Sequence, residues 1–244
     1  MKTFRALSAL LQYPEPALIE ALDEIEAVLD AEDIAPRQQR DALQWLLGDL
    51  RSGDIYDLQQ DYLMLFDRTR SLSLHLFEHV HGESRDRGQA LVDLKSIYEE
   101  KGLHADVKEL PDFLPLFLEY LSLLPIADAR AMLDETVHVL AALAERLAKR
   151  KSAYEAIFRA LIAVAEAAPD ELALAALREE PDSAPDDLEA LDAAWEEEAV
   201  TFGPGKGGCQ DDLAAKIRQG RRPAPGVEQQ IRTARESGAG ARQL

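Results

Sequence analysis

Along the first 165 positions, apolar residues return at intervals of three and four, the spacing that lines one face of an α-helix. The run Met1-Lys2-Thr3-Phe4-Arg5 leads into a short amphipathic segment. Leu18, Leu22, Ile25 and Leu29 then mark a helix opened by Pro16 and finished before Pro36, and Leu43, Leu46, Leu47 and Leu50 mark one closed by Ser52 and Gly53. Ile55, Leu58, Tyr62 and Leu65 share a third face. The spacing predicts a fourth helix carrying Leu72, Leu76 and Val80 up to Gly82, and a fifth with Arg87, Leu91, Leu94 and Tyr98, capped by Ser84 and ended by Gly102. Phe113, Phe117, Leu121 and Leu124 follow among Pro111, Pro115 and Pro125. Two longer helices are expected over roughly 127–150 and 152–167. No internal repeat appears, so the expectation is all-α, a single irregular bundle of about eight or more helices.

Composition strengthens that expectation. Alanine and leucine supply nearly a third of the 244 residues while Val and Ile are sparse, a mix that favours helices over strands. No stretch nears 18 uninterrupted apolar residues and the start lacks a signal-peptide core, which predicts a cytoplasmic protein. A single cysteine, Cys209, excludes a disulfide framework and a Cys-based zinc ribbon.

The net charge of −19 disfavours nucleic acid and anionic membrane surfaces as main partners and favours basic ones. Its distribution divides the chain. Residues 1–165 read as the helical bundle. Residues 166–198 hold 13 acids against Arg178 alone, with Pro169, Pro181 and Pro185 limiting any helices to short ones, so 166–202 reads as an acidic segment. Leu172, Leu174, Leu177, Leu188 and Leu191 are expected to dock it on the bundle, with Trp195 and Phe202 pinning its end; covering a binding groove is the alternative. Residues 203–244 are rich in Gly and Pro, carry 8 bases against 4 acids, and read as a disordered tail. Without that tail the body, 1–202, carries −23.

The densest chemistry lies between Phe66 and Gly88, where three of the five histidines fall. His75-Leu76-Phe77-Glu78-His79 matches H-x-x-E-H, in which two histidines one helical turn apart ligate zinc and the glutamate acts as general base. A zinc peptidase using His75, Glu78 and His79 is therefore one reading; the other is that both histidines hydrogen-bond backbone or carboxylates at a packed helix interface. The charges Asp67, Arg68, Arg70, Glu83, Arg85, Asp86 and Arg87 mix signs at both ends, as solvated pairs, an interhelical network or a surface for a polar peptide.

The run from Phe66 to Gly88 resembles the signature of the delta subunit of respiratory nitrate reductase, a molybdenum cofactor assembly chaperone. The stretch Glu109-Leu110-Pro111-Asp112-Phe113-Leu114-Pro115-Leu116-Phe117-Leu118-Glu119 resembles one shared by redox-enzyme maturation chaperones, and Ala194 to Phe202 resembles the end of the delta-subunit core, with Ala199 where that family has proline. The resemblance covers about residues 1–202. It implies a non-enzymatic, system-specific chaperone that binds the N-terminal segment of the apo catalytic alpha subunit, alone or in the alpha–beta complex, assists insertion of the molybdenum cofactor, and is absent from the finished membrane-docked enzyme. It implies no metal or cofactor in the chaperone itself, no nucleic acid and no stable membrane association. An amphipathic client helix would lie in an apolar groove with an acidic rim. The expected client-binding residues are the His75, Glu78 and His79 face, Arg68, Arg70 and His81 at its ends, and Asp112 beside the Pro-bounded helix. Leu72, Leu76, Phe113 and Phe117 are expected in the core, and Pro111 with Pro115 forms either a hinge or a rigid turn.

Overall fold

The computed structural model describes residues 1–82, 84–103, 109–180 and 182. They all lie in the first of the two units into which the chain divides, Met1–Pro204. Glu83, Leu188, Leu191, Trp195, Ala199, Phe202, Cys209 and the tail from 203 onward fall outside the described residues, and so do the readings made of them.

Eleven α-helices run through the described residues: α1 (Lys2–Leu10), α2 (Pro16–Glu32), α3 (Arg37–Ser52), α4 (Ile55–Tyr62), α5 (Leu76–His81), α6 (Arg85–Glu100), α7 (Leu114–Ser122), α8 (Ile126–Asp134), α9 (Val137–Lys149), α10 (Glu155–Val164) and α11 (Glu171–Glu179). No strand occurs among the described residues; one isolated antiparallel bridge pairs His75 with Phe113. The fold is all-α, as the apolar period predicts.

Packing follows a chain of neighbours. α7 lies on α1, α1 on α2, α2 on α3, α3 on α10 and α10 on α9, while α11 and the turn at Arg70–Leu72 also pack on α9. Helix α9 is accordingly apolar on most of its circumference, burying Val139, Leu140, Leu143, Leu147 and four alanines or valines between them. A helix hydrophobic nearly all round belongs at the centre. The start of α1 is closed by Glu32 at the end of α2, whose carboxylate accepts from the Lys2 and Thr3 amides at 2.9 and 2.7 Å. Pro16 and Pro115 sit in the first turns of α2 and α7, where a missing N–H costs no helical hydrogen bond. Gly102 adopts φ +80° just past α6, and the Gly102 and Leu103 amides donate back to Glu99 and Tyr98, a left-handed ending that only glycine reaches without strain. Of the described residues in the acidic segment, Leu174 and Leu177 of α11 are buried and Leu172 is exposed.

Three boundaries depart from the periodicity. The expected long helix over 127–150 is broken at Glu135–Thr136 into α8 and α9. The Thr136 hydroxyl bonds back to the Leu133 carbonyl at 2.9 Å, an alternative to the regular ladder that β-branched hydroxyl residues offer. After Tyr62 the chain widens into a π-helical turn over Leu63–Asp67, where the Arg68 amide reaches the Leu63 carbonyl at 2.9 Å. That turn sends Phe66 rather than Leu65 fully into the core, against Tyr62 and Tyr154.

The third departure shapes the site. The fourth helix does not begin near Leu72: a 3-10 turn covers Arg70–Leu72, Ser73–His75 run without helix, and α5 starts only at Leu76. The Ser73 hydroxyl accepts from the His75 amide at 3.2 Å, the local bond by which serine diverts a chain from helix. The stretch pairs instead with the entry to α7, through Leu76 N–H to the Asp112 carbonyl at 3.0 Å and Leu114 N–H to the Leu74 carbonyl at 2.8 Å.

Candidate functional site

Asp112 is the centre of the polar cluster and has no exposed surface. Its Oδ1 accepts from His75 Nδ1 at 3.2 Å and its Oδ2 from the Phe77 amide at 3.2 Å, with Arg87 Nη2 3.7 Å away. Arg87, on α6, also donates to Glu78 Oε1 at 3.0 Å. One buried carboxylate thus joins the start of α7, the loop before α5, α5 itself and α6. A charge taken out of water needs such partners, because its desolvation costs several kcal/mol. The mixed charges flanking this region therefore include an interhelical network, the Glu78–Arg87–Asp112 set.

The two histidines of the H-x-x-E-H run live in opposite environments. His75 keeps part of its ring at the surface, and the hydrogen bond it donates to Asp112 raises its pKa above the ordinary histidine value. His79 is buried; loss of solvent lowers its pKa, and its Nε2–H donates to the Ser73 carbonyl at 2.8 Å. This corrects the zinc reading of His75, Glu78 and His79. His75 precedes the helix with extended backbone (φ −88°, ψ 104°), so the two histidines do not stand one turn apart on a helix, and each has a ring nitrogen engaged by protein. Among the described residues no group of three or more His, Cys, Asp or Glu is arranged to hold a metal ion.

The structure brings His75, Glu78 and Asp112 together and adds Arg87. His79 lies on the inner side of the same loop, and His81 is buried with its ring edge-on to Phe77. Arg68 and Arg70, which precede the Ser71–Ser73 stretch in the chain, are exposed. Leu72, Leu76 and Phe117 are core, and Phe113 is half-buried against the His75 ring. The carbonyls of Pro111 and Pro115 accept from Tyr98 Oη at 2.8 Å and Ser8 Oγ at 2.7 Å, both in the interior, which ties this corner to α6 and α1.

A second polar anchor holds the other end of the loop. Arg146, buried in α9, donates to the Ser71 carbonyl at 2.7 Å, to the Leu177 carbonyl of α11, and to Glu180 at 3.3 Å. Asp182 accepts from Ser71 Oγ at 2.9 Å and from Arg150 at 2.7 Å. Partial burial works against its charge, yet these two donors hold its carboxyl below the usual range. Neither Arg146 nor the role of Arg87 stands out from motif matching. The available signals were an arginine set three residues after Leu143 on the apolar stripe of α9, and Arg87 sharing a face with Leu91, Leu94 and Tyr98.

These contacts define a class: an all-helical bundle whose ionisable groups hold a non-helical loop between helices. The sequence profile of the nitrate reductase delta subunit family matches residues 16–160, and the chain belongs to that family. It is 46% identical over 206 residues to the nitrate reductase molybdenum cofactor assembly chaperone NarJ of Escherichia coli K12, across 84% of this chain and 86% of that protein. It is 40% identical to the probable chaperone NarW of the same organism, over 83% of this chain and 84% of that one. A probable NarJ of Bacillus subtilis is 34% identical over 67% of this chain and 88% of its own length.

Proposed function

We propose that this protein is a molybdenum cofactor assembly chaperone for a nitrate reductase and not an enzyme. The observation that carries the reading is the near full-length similarity to proteins named for that role. We propose further that it acts in the cytoplasm on the apo alpha subunit, alone or with the beta subunit, by holding the alpha subunit's N-terminal segment. The −23 net charge of residues 1–202 supports that role, since it would draw in a basic segment and make its capture salt-dependent; no helix among the described residues is long and apolar enough to cross a membrane. Of the residues expected to meet the client, Arg68, Arg70, His75 and Glu78 have accessible surface, while His79, His81 and Asp112 stand behind them and set the loop's shape. A chaperone must also release its client, so an affinity near micromolar, about −8 kcal/mol, suits the task.

Depletion of the protein from its host tests this. The alpha subunit should still be made but should lack molybdenum on metal analysis of the purified reductase. A full molybdenum content in the depleted strain would contradict the proposal.

A further inference from the structure

Ser71, in the buried turn that leads to His75, is gripped from two sides. Its carbonyl accepts from Arg146 Nη1 of α9 at 2.7 Å, and its hydroxyl donates to Asp182 Oδ1 at 2.9 Å. The same Arg146 guanidinium donates to the Leu177 carbonyl and, at 3.3 Å, to Glu180. Leu177 lies in the last turn of α11, where a carbonyl has no partner within its own helix, so Arg146 closes α11 and the Ser71 turn together. Asp182 is tied in turn to Arg150 at 2.7 Å, with Lys149 Nζ 3.9 Å away. Arg146 and Lys149 stand in the last turn of α9 and Arg150 at its C-cap, where cations are favoured, and the first carboxylates after α11 meet them there. Little else holds α11 down. Leu174 and Leu177 are buried, Leu172 is 77% exposed, and the Arg178–Glu145 pair, 2.8 Å between Nε and Oε2, lies at the surface, where ion pairs count for little. A helix of nine residues is too short to persist in water without such contacts.

The Ser71 turn stands between two surfaces. Before it, Thr69 Oγ1 donates to the Met64 carbonyl at 2.8 Å, and Met64 and the exposed Arg68 line a cleft of about 460 Å³ with Tyr13, Tyr56 and Leu63. After it, Ser73 takes the hydrogen bonds of the His75 amide and the His79 ring. We infer that α11, with Glu180 and Asp182, is a strap that positions this turn, so that strap docking and client capture are coupled. The docked strap holds the neighbouring surfaces in the shape that binds, and a bound client holds the strap down. The inference rests on the chaperone reading and adds to it a regulatory role for the start of the acidic segment. Arg146 and Asp182 are then positioning residues, acting on the client through Ser71. Ordering the turn beforehand removes a cost that the client would otherwise meet on binding. Coupling of this kind is reciprocal: the factor that the docked strap adds to client affinity is the factor that the client adds to strap docking.

The test is calorimetric titration of the full-length protein with a synthetic peptide matching the N-terminal segment of the cognate alpha subunit, read beside hydrogen exchange in α11. Asp182→Ala, which leaves the Ser71 hydroxyl without its acceptor, should weaken binding at least fivefold. Asp182→Asn loses the same charge but keeps an acceptor oxygen, and should stay within twofold of wild type. The two variants thus separate the strap contact from the long-range pull of the −23 body on a basic segment, which both reduce alike. Asp182 is half-buried at the end of the strap, so both variants should unfold close to the wild-type temperature, which separates lost binding from lost folding. In the wild type, saturating peptide should slow exchange of the α11 amides at least threefold, and in Asp182→Ala that slowing should shrink; a contact that is merely structural would not answer to the peptide. Unchanged affinity in Asp182→Ala, an equal loss in both variants, or α11 exchange indifferent to the peptide overturns the strap while leaving the chaperone role standing. Failure of the wild-type protein to bind the peptide removes the proposed function together with the strap.

Discussion

The loop from Thr69 to Phe77 and the cleft from Tyr13 to Met64 are both interruptions of an apolar bundle, and they are built in opposite ways. In the loop, Asp112, His75, Arg87 and Arg146 turn polar groups toward one another and toward backbone, much of it out of contact with water. In the cleft lined by Tyr13, Tyr56, Leu63 and Met64, aromatic and aliphatic side chains face solvent beside the Arg68 guanidinium. Satisfied buried polar groups fix a shape, whereas exposed apolar surface beside free charge is what a partner can cover. His75, Glu78 and Asp112, which look most like chemistry in the sequence, thus also hold the loop's shape.

The comparison breaks most visibly at Asp112. Replacing it with Ala strands His75, the Phe77 amide and Arg87 without their acceptor, and should cost about 3–5 kcal/mol, a drop on the order of 10 °C in Tm. Asp112→Asn, which keeps one acceptor oxygen, should cost less. Denaturant unfolding of both variants checks this; a loss below 1 kcal/mol in the Ala variant would mean the cluster is not what holds the loop.

Arg146→Ala removes the donor shared by the Ser71 and Leu177 carbonyls and should cost about 2–3 kcal/mol. The damage should be local as well as global, with α11 becoming the first site cut in limited proteolysis. Cutting elsewhere first would show that α11 holds to α9 through Leu174 and Leu177 alone.

A smaller effect separates the two histidines. His75 has a raised folded-state pKa, so the stability it adds is complete below its unfolded value of about 6.5 and is lost as pH rises through the folded one. His79 has a lowered pKa, so its contribution is present above about 6.5 and is lost as pH falls through the folded value. The difference in unfolding free energy between wild type and His75→Gln, about 1 kcal/mol, should therefore be larger at pH 5.5 than at pH 8.5. The reverse trend would place the His75 charge outside the Asp112 bond.

Much of the bundle was legible in the sequence because its signals are local. Pro16, Gly53 and Gly102 punctuate helices where they stand, and Leu18, Leu22, Ile25 and Leu29 are buried as their spacing requires. What stayed hidden depends on partners far along the chain. Leu72 to Gly82 reads as one helix until Asp112 and Leu114 pair with Leu74 and Leu76, and the H-x-x-E-H spacing loses its meaning with that helix. Thr136 and the π turn at Leu63 break helices whose apolar period runs on unchanged. For the candidate site, the sequence grouped His75, Glu78 and Asp112, which the fold brings together. It did not show that Asp112 is buried, that Arg87 and Arg146 hold the loop, or that Leu63 faces out.

Hydrogen exchange on the full-length protein, with and without the alpha-subunit peptide, compares the two regions in a single measurement. The account predicts slowed exchange on peptide addition in one or both regions: the loop from Ser73 to His79, where His75 and Glu78 reach the surface, and the cleft at Tyr13 and Tyr56 to Met64. Exchange unchanged in both regions would contradict it.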